Sequence, residues 1–334
     1  MVCGNLSFHI KKTLPKATIV FDTYWKFAAE RQDIFFRRLK NPADLCWTND
    51  VVLKNYKFTN AYRVSDRVSQ YLISNVIKKG SQENEEVFFR IMLFKLFNKI
   101  ETWEYLNQQA GKIKYSDFDF TFYADLLKQA RSNGLPIYSN AYMMASGKSY
   151  FNHQYKHQNH LRLLEKMMED NLPAQLLTHG SMKDGYEKLL TYPGIGSFLA
   201  YQYITDINYS NITNFSEMEF VKAGPGAMDG IRKCFSNFGD FSEEDIIKMV
   251  CENQENEFKR LDLEFKSLWG RKLQLIDCQN LFCETDKYAR VVHPGFSGKS
   301  NRTRIKQKFK PASLHPVQYV FPDKWKLECL HIKS

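Results

Sequence analysis

Residues 191–202, TYPGIGSFLAYQ, place a proline and two glycines between two segments that have helical patterns. The sequence before the turn, MKDGYEKLLT, and the sequence after it, SFLAYQYITDI, each predict a helix. Gly194 and Gly196 permit positive φ and let another molecule come close to the main chain. The stretch therefore predicts a helical hairpin with its turn at 192–196. Two roles remain open for it: packing of the two helices, or an anion site at the start of the second helix.

Helical patterns also dominate the rest of the chain, and they predict an all-α fold. One segment, 134–146, suggests a short pair of strands. We divide the sequence into an N-terminal extension (1–20), a helical domain (21–290) and a basic C-terminal segment (291–334). The predicted helices cover residues 23–40, 58–79, 84–106, 117–132, 159–170, 184–191, 197–206, 243–268 and 273–288.

The charge of the chain narrows the class of partner. Its 334 residues include 47 Lys and Arg against 37 Asp and Glu, a net charge of +10. Such an excess suits a nucleic acid or an anionic membrane. No apolar run is long enough to span a bilayer, and the sequence has no signal-peptide pattern at its start. We therefore expect a cytoplasmic monomer that binds double-stranded DNA and no membrane.

The cysteines do not indicate a metal site. All seven are scattered, and none forms a C-x-x-C pair. We expect reduced thiols, no metal and no cofactor. The tail is a stronger signal, because KSNRTRIKQKFK (299–310) carries six basic residues and no acidic one. It is either a solvated, mobile segment or a set of phosphate contacts.

Three further motifs carry a family resemblance: FTNAYRVSDR (58–67), FVKAGPGAMDGI (220–231) and CQNLFCETDKY (278–288). Together with the YPGIG turn they resemble the alpha-glutamyl/putrescinyl thymine pyrophosphorylase family, helix-hairpin-helix relatives of DNA glycosylases. The resemblance implies a glycosylase-like helical fold with two subdomains flanking a cleft. It also implies one of two activities: modification of thymine derivatives in phage DNA, or antiphage excision of glucosylated 5-hydroxymethylcytosine.

We expect the second activity, because the chain has a basic tail and lacks a G-x-x-x-x-G-K-[ST] phosphate loop. The prediction is a monofunctional DNA glycosylase that removes a bulky hypermodified pyrimidine, alpha-glucosyl-5-hydroxymethylcytosine, from bacteriophage DNA and leaves abasic sites as antiviral defence. Phe198 stands where strand-cleaving glycosylases carry a lysine, so no lyase activity is expected. One alternative is a transferase that displaces pyrophosphate from activated 5-hydroxymethyluracil in DNA. Another is a non-enzymatic DNA-binding module.

A glycosylase needs a carboxylate beside the sugar to stabilise the oxocarbenium-like transition state. Relatives use an Asp beyond the hairpin, but this region holds only glutamates. Glu217 and Glu219 also fit a capping box with Ser216, Asp229 fits the first turn of a helix, and Glu284 fits an i,i+3 ion pair with Lys287. The catalytic candidates are Glu219, Asp229, Glu217 and Glu284.

The remaining candidates come from the bare turns, the basic residues and the polar or aromatic side chains of the motifs. Glycine turns and helix N-termini suit phosphate, and an extruded base needs stacking faces and polar groups that read its edge. For DNA binding they are Gly194, Ile195, Gly196, Ser197, Lys222, Gly224, Gly226, Arg232, Lys287, Arg302, Arg304 and Lys306. For the base pocket they are Trp25, Asn60, Tyr62, Asn140, Tyr142, Gln202 and Asn280.

Overall fold

A computed structural model describes residues 12–44, 46–310 and 318–327. Over these residues the protein is built from helices joined by short loops, which confirms the all-α prediction. The first seven helices are α1 (Ile19–Lys40), α2 (Val51–Asn55), α3 (Arg67–Tyr71), α4 (Asn84–Phe97), α5 (Ile100–Ala110), α6 (Phe120–Ser132) and α7 (Lys148–Phe151). The others are α8 (Lys156–Glu169), α9 (Leu172–Thr178), α10 (Met182–Leu190), α11 (Ser197–Ile207), α12 (Pro225–Cys234), α13 (Glu243–Glu252), α14 (Gln254–Arg260) and α15 (Leu275–Val292).

The predicted hairpin is present as α10, a tight turn and α11. Gly194 has φ of 78°, which a residue with a side chain rarely adopts, so glycine is required at this point of the turn. Gly196 is in ordinary extended backbone and forms the N-cap of α11. Ile195 is buried between the two glycines and anchors the turn to the core.

The helices form two groups, and α11 belongs to the second. In the first group α1, α12 and α13 pack around α15; in the second, α4 contacts α5, α8, α9 and α11. Helix α4 is buried nearly all round, as its continuous apolar pattern predicts. The two groups bring α11 and α12 close together at their N-terminal ends, where Phe198 lies against Gly224.

The closest helix contact is between α12 and α15, and glycine makes it possible. A Cβ atom at Gly230 would lie 2.0 Å from the carbonyl oxygen of Phe282, and one at Gly226 would lie 2.3 Å from Sγ of Cys283. The backbones of the two helices therefore touch. Gly226, predicted as a DNA contact, is used instead for helix packing.

Several predicted elements differ from the structure. The 84–106 helix is two helices, because Asn98 is left-handed (φ 48°) and ends α4. The 58–79 segment is broken into a 3-10 turn, α3 and a π-helix (Leu72–Ile77), and the 243–268 segment leaves helix at Arg260. No strand forms at 134–146; the sheet in the described part of the chain pairs β1 (Lys16–Ala17) with β2 (Phe235–Asn237). The capping box at 216–219 caps nothing, because these residues form a turn.

Residues 318–327 form a segment that we call the C-terminal strap. Val320 exchanges two hydrogen bonds with the side chain of Gln70: its N–H donates to Oε1 (2.8 Å), and Nε2 donates to its carbonyl (3.1 Å). Nζ of Lys324 donates to the carbonyl of Thr213 at 2.7 Å, and Nε1 of Trp325 donates to Glu217 at 3.1 Å. The strap is thereby fixed at three points. The rest of the predicted C-terminal segment, 311–317 and 328–334, lies outside the described residues, as do 1–11 of the predicted N-terminal extension.

Candidate active site

Two of the sequence motifs, 58–67 and 278–288, are joined directly in the structure. The backbone N–H of Thr59 donates to Oε2 of Glu284 at 2.9 Å. Nδ2 of Asn280 donates to Oγ1 of Thr59 at the same distance. Residues more than 200 positions apart in sequence thus form one wall of a polar site.

Asp66 is the carboxylate of this site with the most unusual environment. It is half-buried, and the backbone N–H of Asn60 donates to its Oδ1 at 2.8 Å. Burial raises its pKa to about 7, and the nearby charge of Glu284 acts in the same direction, while the Asn60 hydrogen bond and Arg31 oppose it. Its Oδ2 has no hydrogen-bond partner among the described residues. A carboxylate that titrates near neutrality is suited to general acid–base chemistry.

Glu284 is held differently from Asp66. Its Oε2 accepts hydrogen bonds from Thr59 and from Nζ of Lys287 (2.7 Å), and only 8% of its side chain is exposed. The predicted i,i+3 pair with Lys287 therefore exists, but it lies inside the site rather than on the open surface. Nζ of Lys287 also lies 4.5 Å from the ring centroid of Phe58.

Arg31 of α1 fixes the backbone between these carboxylates. Its Nε donates to the carbonyl of Thr59 (2.9 Å) and its Nη2 donates to Oδ1 of Asn60 (2.8 Å). Burial lowers the pKa of Arg31, and the neighbouring Asp66 and Glu284 oppose that shift. Both ends of the Asn60 side chain are engaged, because its Nδ2 also donates to the carbonyl of Ser65. Asn60 therefore positions Asp66 and is not free to read a base.

A buried ion network lies beneath the site. The guanidinium of Arg63 makes a two-bonded pair with Asp206 (2.7 and 3.0 Å), and Nζ of Lys95 contacts the same carboxylate at 2.9 Å. Nε of Arg63 donates to Gln202, which is thereby placed in the interior rather than in a base pocket. Removing one member of such a network leaves a buried charge unpaired, so the network fixes the geometry of the site above it.

The backbone of Arg63 also ties the middle of motif 58–67 to helix α15. The backbone N–H of Arg63 donates to Oδ1 of Asp277 at 2.8 Å, and the N–H of Gln274 donates to Oδ2 at 3.0 Å. Burial raises the pKa of Asp277 to about 6, and these two hydrogen bonds oppose the shift. Because both oxygens are occupied, Asp277 joins α15 to the motif and is not a candidate for catalysis.

Tyr142 and Phe198 form an aromatic wall near Asp66; burial raises the pKa of Tyr142, and the charge of Asp66 acts in the same direction. Tyr142 has φ of 56°, a conformation that costs a bulky residue on the order of 1 kcal/mol. Its ring stacks on Phe198 at 5.5 Å with 7° between the planes, and Nζ of Lys95 lies 4.8 Å from its centroid. Phe198 in turn presses on Gly224, where an added Cβ would come within 2.9 Å of the ring. The hairpin and the second glycine motif therefore meet at this wall.

The N-termini of α11 and α12 lie on either side of the contact between Phe198 and Gly224. Ser197 is exposed at the start of α11, where the hydroxyl of Tyr186 donates to its Oγ at 2.8 Å. Pro225 follows the Gly224 N-cap and begins α12. Pro225 has no N–H, but among the described residues the backbone N–H groups of Ser197 and Phe198 on α11 and of Gly226 and Ala227 on α12 have no acceptor. Two such ends close together favour an anionic group between them.

Three predicted catalytic residues have other surroundings. Glu217 forms an ion pair with Arg271 at 2.9 Å and accepts from Trp325, so it anchors the C-terminal strap. Glu219 is exposed and has no partner in the described part of the chain. Asp229 accepts from the N–H of Ser300 (3.1 Å) and pairs with Arg302 (3.1 Å). Burial acts to raise the pKa of Asp229, but these hydrogen bonds outweigh it and hold the pKa below its usual value.

Most of the predicted DNA-binding cations are paired with carboxylates. Lys222 contacts Glu244 at 3.3 Å, and Arg232 contacts Glu243 at 3.2 Å. Arg304 and Lys306, by contrast, are exposed and have no carboxylate within 4 Å among the described residues. The hairpin residues Gly194 to Ser197 lie beside the aromatic wall.

The predicted base pocket is only partly assembled. Trp25 is fully buried in the core against Phe258, and Tyr62 is buried with its hydroxyl donating to the carbonyl of Arg271 at 2.6 Å. Asn140 is exposed. Asn60, Tyr142 and Asn280 do lie at the site. Sequence reasoning missed Asp66 and Arg31 as site residues and gave Phe198 no part in the wall. Asp66 could have been found as a member of motif 58–67, and Phe198 as a residue of the hairpin. Arg31 had only its position on α1 as a signal.

Comparison with known proteins identifies the family. Residues 18–298 match the family described as 5-hmdU DNA kinase, helical domain. The chain belongs to this family. It is 27% identical to a 5-hmdU DNA kinase of Bacillus phage SP10 over 286 residues, which are 80% of this chain and 45% of the relative. The chain thus spans just under half the length of that kinase. No solved structure matches it.

Membership of the 5-hmdU DNA kinase helical-domain family corrects the predicted activity. Excision of alpha-glucosyl-5-hydroxymethylcytosine as an antiviral glycosylase was wrong, because the family and the phage relative are named for a kinase of 5-hydroxymethyldeoxyuridine in DNA. The resemblance was right in pointing to proteins of phage base modification. The choice between the two activities that it implies was wrong, because neither a missing phosphate loop nor a basic tail distinguishes base excision from group transfer.

Two further findings concern partners other than DNA. None of the helices between residues 12 and 327 that the structure describes is both long and apolar enough to cross a bilayer. Within the same described ranges, no three His, Cys, Asp or Glu side chains form a group that could hold a metal ion.

Proposed function

We propose that this protein modifies the 5-substituent of a 5-hydroxymethyluracil-derived base in DNA, by replacing a pyrophosphate group with an amine. The family is named for action on this base in DNA. The observation that carries the proposal is Asp66, a carboxylate with a pKa of about 7 and one free oxygen, at the meeting point of motifs 58–67 and 278–288.

The proposed reaction needs a base, a leaving-group site and room for the pyrimidine. The amine nitrogen forms a bond to the methylene carbon at position 5, while the bond from that carbon to the pyrophosphate oxygen breaks. Asp66 accepts the proton that the amine loses, and the leaving pyrophosphate takes the electron pair. The N-termini of α11 and α12 supply unpaired N–H groups for this anion.

The substrate base must leave the DNA stack to reach these groups. Tyr142 and Phe198 form a stacked aromatic pair beside Gly224 and offer a face for it. Oδ1 of Asn280 has no partner among the described residues and is free to accept from a pyrimidine N–H. These contacts would hold the ring while position 5 faces Asp66.

The name of the phage relative favours a second candidate, phosphorylation of the 5-hydroxymethyl group. Asp66 would then accept the proton of the hydroxyl that attacks a phosphoryl donor. The sequence has no G-x-x-x-x-G-K-[ST] loop to hold that donor. This candidate therefore needs a donor site of another kind, in this chain or contributed by another domain.

The experiment uses one duplex sequence with thymine, 5-hydroxymethyluracil or its pyrophosphate ester at a single position. Each duplex is incubated with the protein and either a primary amine or ATP, digested to nucleosides and analysed by mass spectrometry. The proposal predicts an amine adduct and free pyrophosphate from the ester alone. Asp66→Asn abolishes the product, and Asp125→Asn, an exposed aspartate on α6, does not. A phosphorylated nucleoside from the ATP arm would favour the second candidate over the first. No amine adduct from the ester, or a released free base, would refute the first.

A further inference from the structure

The basic segment has a regular pattern that the active site does not use. Basic residues occupy every second position from 302 to 310, with Thr, Ile, Gln and Phe between them. In an extended strand such residues share one face, because side chains alternate between the two sides. The basic residues are Arg302, Arg304, Lys306, Lys308 and Lys310.

The structure places this segment as an ordered extended chain beside residues 55–57. The N–H of Lys57 donates to the carbonyl of Gln307 at 3.1 Å, and the N–H of Phe309 donates to the carbonyl of Asn55 at 3.0 Å. A single bridge pairs Tyr56 with Lys308. Ile305 is half-buried, whereas the other residues from 302 to 310 are exposed, so the segment lies on the surface with Ile305 turned toward the protein.

The charges on the exposed face are available for a partner. Arg302 is tied to Asp229 and fixes one end of the segment on α12. For Arg304, Lys306, Lys308 and Lys310 the described residues contain no carboxylate within 4 Å. Lys54 and Lys57, exposed on the paired stretch, add to the same surface. Lys222 and Arg232 differ from these four residues, because each of the two is paired with a glutamate.

We propose that residues 302–310 bind the phosphate backbone of duplex DNA and guide it to the active site. The inference rests on the proposed function, because it takes DNA as the substrate. Nine residues of strand carry five charges over roughly 27 Å, about the axial rise of eight base pairs. The stretch paired with them leads directly through Phe58 to Thr59, which contacts Glu284. DNA held on this face therefore lies beside the stretch that leads to Glu284.

Counterion release gives the expected size of the effect. Each phosphate contact contributes about 0.9 to the slope of log affinity against log salt concentration for B-form DNA. A variant with Arg304→Gln, Lys306→Gln and Lys310→Gln should therefore lose about 2.7 from that slope. Lys308 is left in place because its Nζ lies 4.4 Å from the centroid of the Tyr56 ring, so its loss would also disturb packing.

The control variant changes the same net charge elsewhere, with Lys79→Gln, Lys112→Gln and Lys128→Gln, three exposed lysines outside this segment. Fluorescence anisotropy with an unmodified duplex, over a series of salt concentrations, gives the slopes. The proposal expects a reduced slope for the first variant and a wild-type slope for the control. Equal slopes in both variants would overturn it.

A second arm tests the other polyanion that a basic face would suit. The proteins are mixed with vesicles of phosphatidylcholine and phosphatidylserine. Loss of vesicle binding in the 304/306/310 variant with unchanged DNA binding would overturn the proposal. Because the duplex is unmodified, DNA binding is measured independently of base chemistry. The proposed function fails alone if the slope changes as expected but no modified base is ever formed.

Discussion

Asp66 sets how activity should depend on pH. As a general base it must be ionised, and its pKa is raised to about 7 by burial. We predict that kcat/KM for base modification rises with pH up to about 7 and then levels off. Asp66→Asn should lack both the activity and this ascending limb, and Glu264→Gln, an exposed control, should retain them. An ascending limb centred near the ordinary carboxyl pKa would rule out Asp66 as the base.

Ionisation of Asp66 lowers the stability of the fold, whereas ionisation of most carboxylates in proteins raises it. A raised pKa means that the folded protein binds a proton that the unfolded chain has already released, so the free energy of unfolding falls as pH rises between about 4 and 7. The sequence did not reveal this property. Nor did it reveal that Arg63, three residues before Asp66, pairs with Asp206, a partner 143 residues away that no local pattern indicates.

Glycine allows helices α12 and α15 to pack with their backbones in contact. At Gly230 an added Cβ would lie 2.0 Å from a backbone oxygen that cannot move aside without moving α15. We predict that Gly230→Ala lowers the free energy of unfolding by about 2 kcal/mol or more. Gly180→Ala, with no atom within 4 Å of the new methyl group, should change it by less than about 0.5 kcal/mol. Chemical denaturation measures both, and equal stabilities would contradict the tight helix contact.

Helix positions were predictable where an apolar stripe repeats, as in α1, α6 and α11. Boundaries were not predictable where one residue adopts an unusual conformation, as left-handed Asn98 does between α4 and α5. The turn at 216–219 has the sequence pattern of a capping box, but no helix follows it. The glycines of motif 220–231 looked like a phosphate cradle, yet Gly226 serves helix packing. Whether a bare backbone faces a ligand or a neighbouring helix depends on tertiary contacts.

The C-terminal strap connects distant parts of the whole molecule, and it explains Glu217. That glutamate pairs with Arg271 and accepts from Trp325, whose ring lies 3.7 Å from the Arg271 guanidinium. We predict that Glu217→Gln lowers the free energy of unfolding by roughly 1–3 kcal/mol. It should leave the rate of base modification near that of wild type. Denaturation and product assays check the two parts, and a folded but inactive variant would return Glu217 to the candidates for catalysis.

At the scale of the molecule, the sequence was enough to predict an all-α protein and a resemblance to proteins of phage base modification, but the activity chosen from that resemblance, base excision, was wrong. The sequence could not assemble the site, which joins α1, motif 58–67, the loop at Tyr142, the hairpin and α15. Trp25 and Tyr62 belong to motifs or helices near the site, but they face the core. Exposed and buried aromatics look alike in a sequence.

The contact between Gly224 and Phe198 limits how the pocket can be redesigned. Helix α12 cannot retreat, since Gly226 and Gly230 already bring it against α15. Under the proposed function, a bulkier artificial nucleobase can therefore gain space here only through the two aromatic side chains. Mutant libraries for such a nucleobase should vary Phe198 and Tyr142 and keep Gly224 constant.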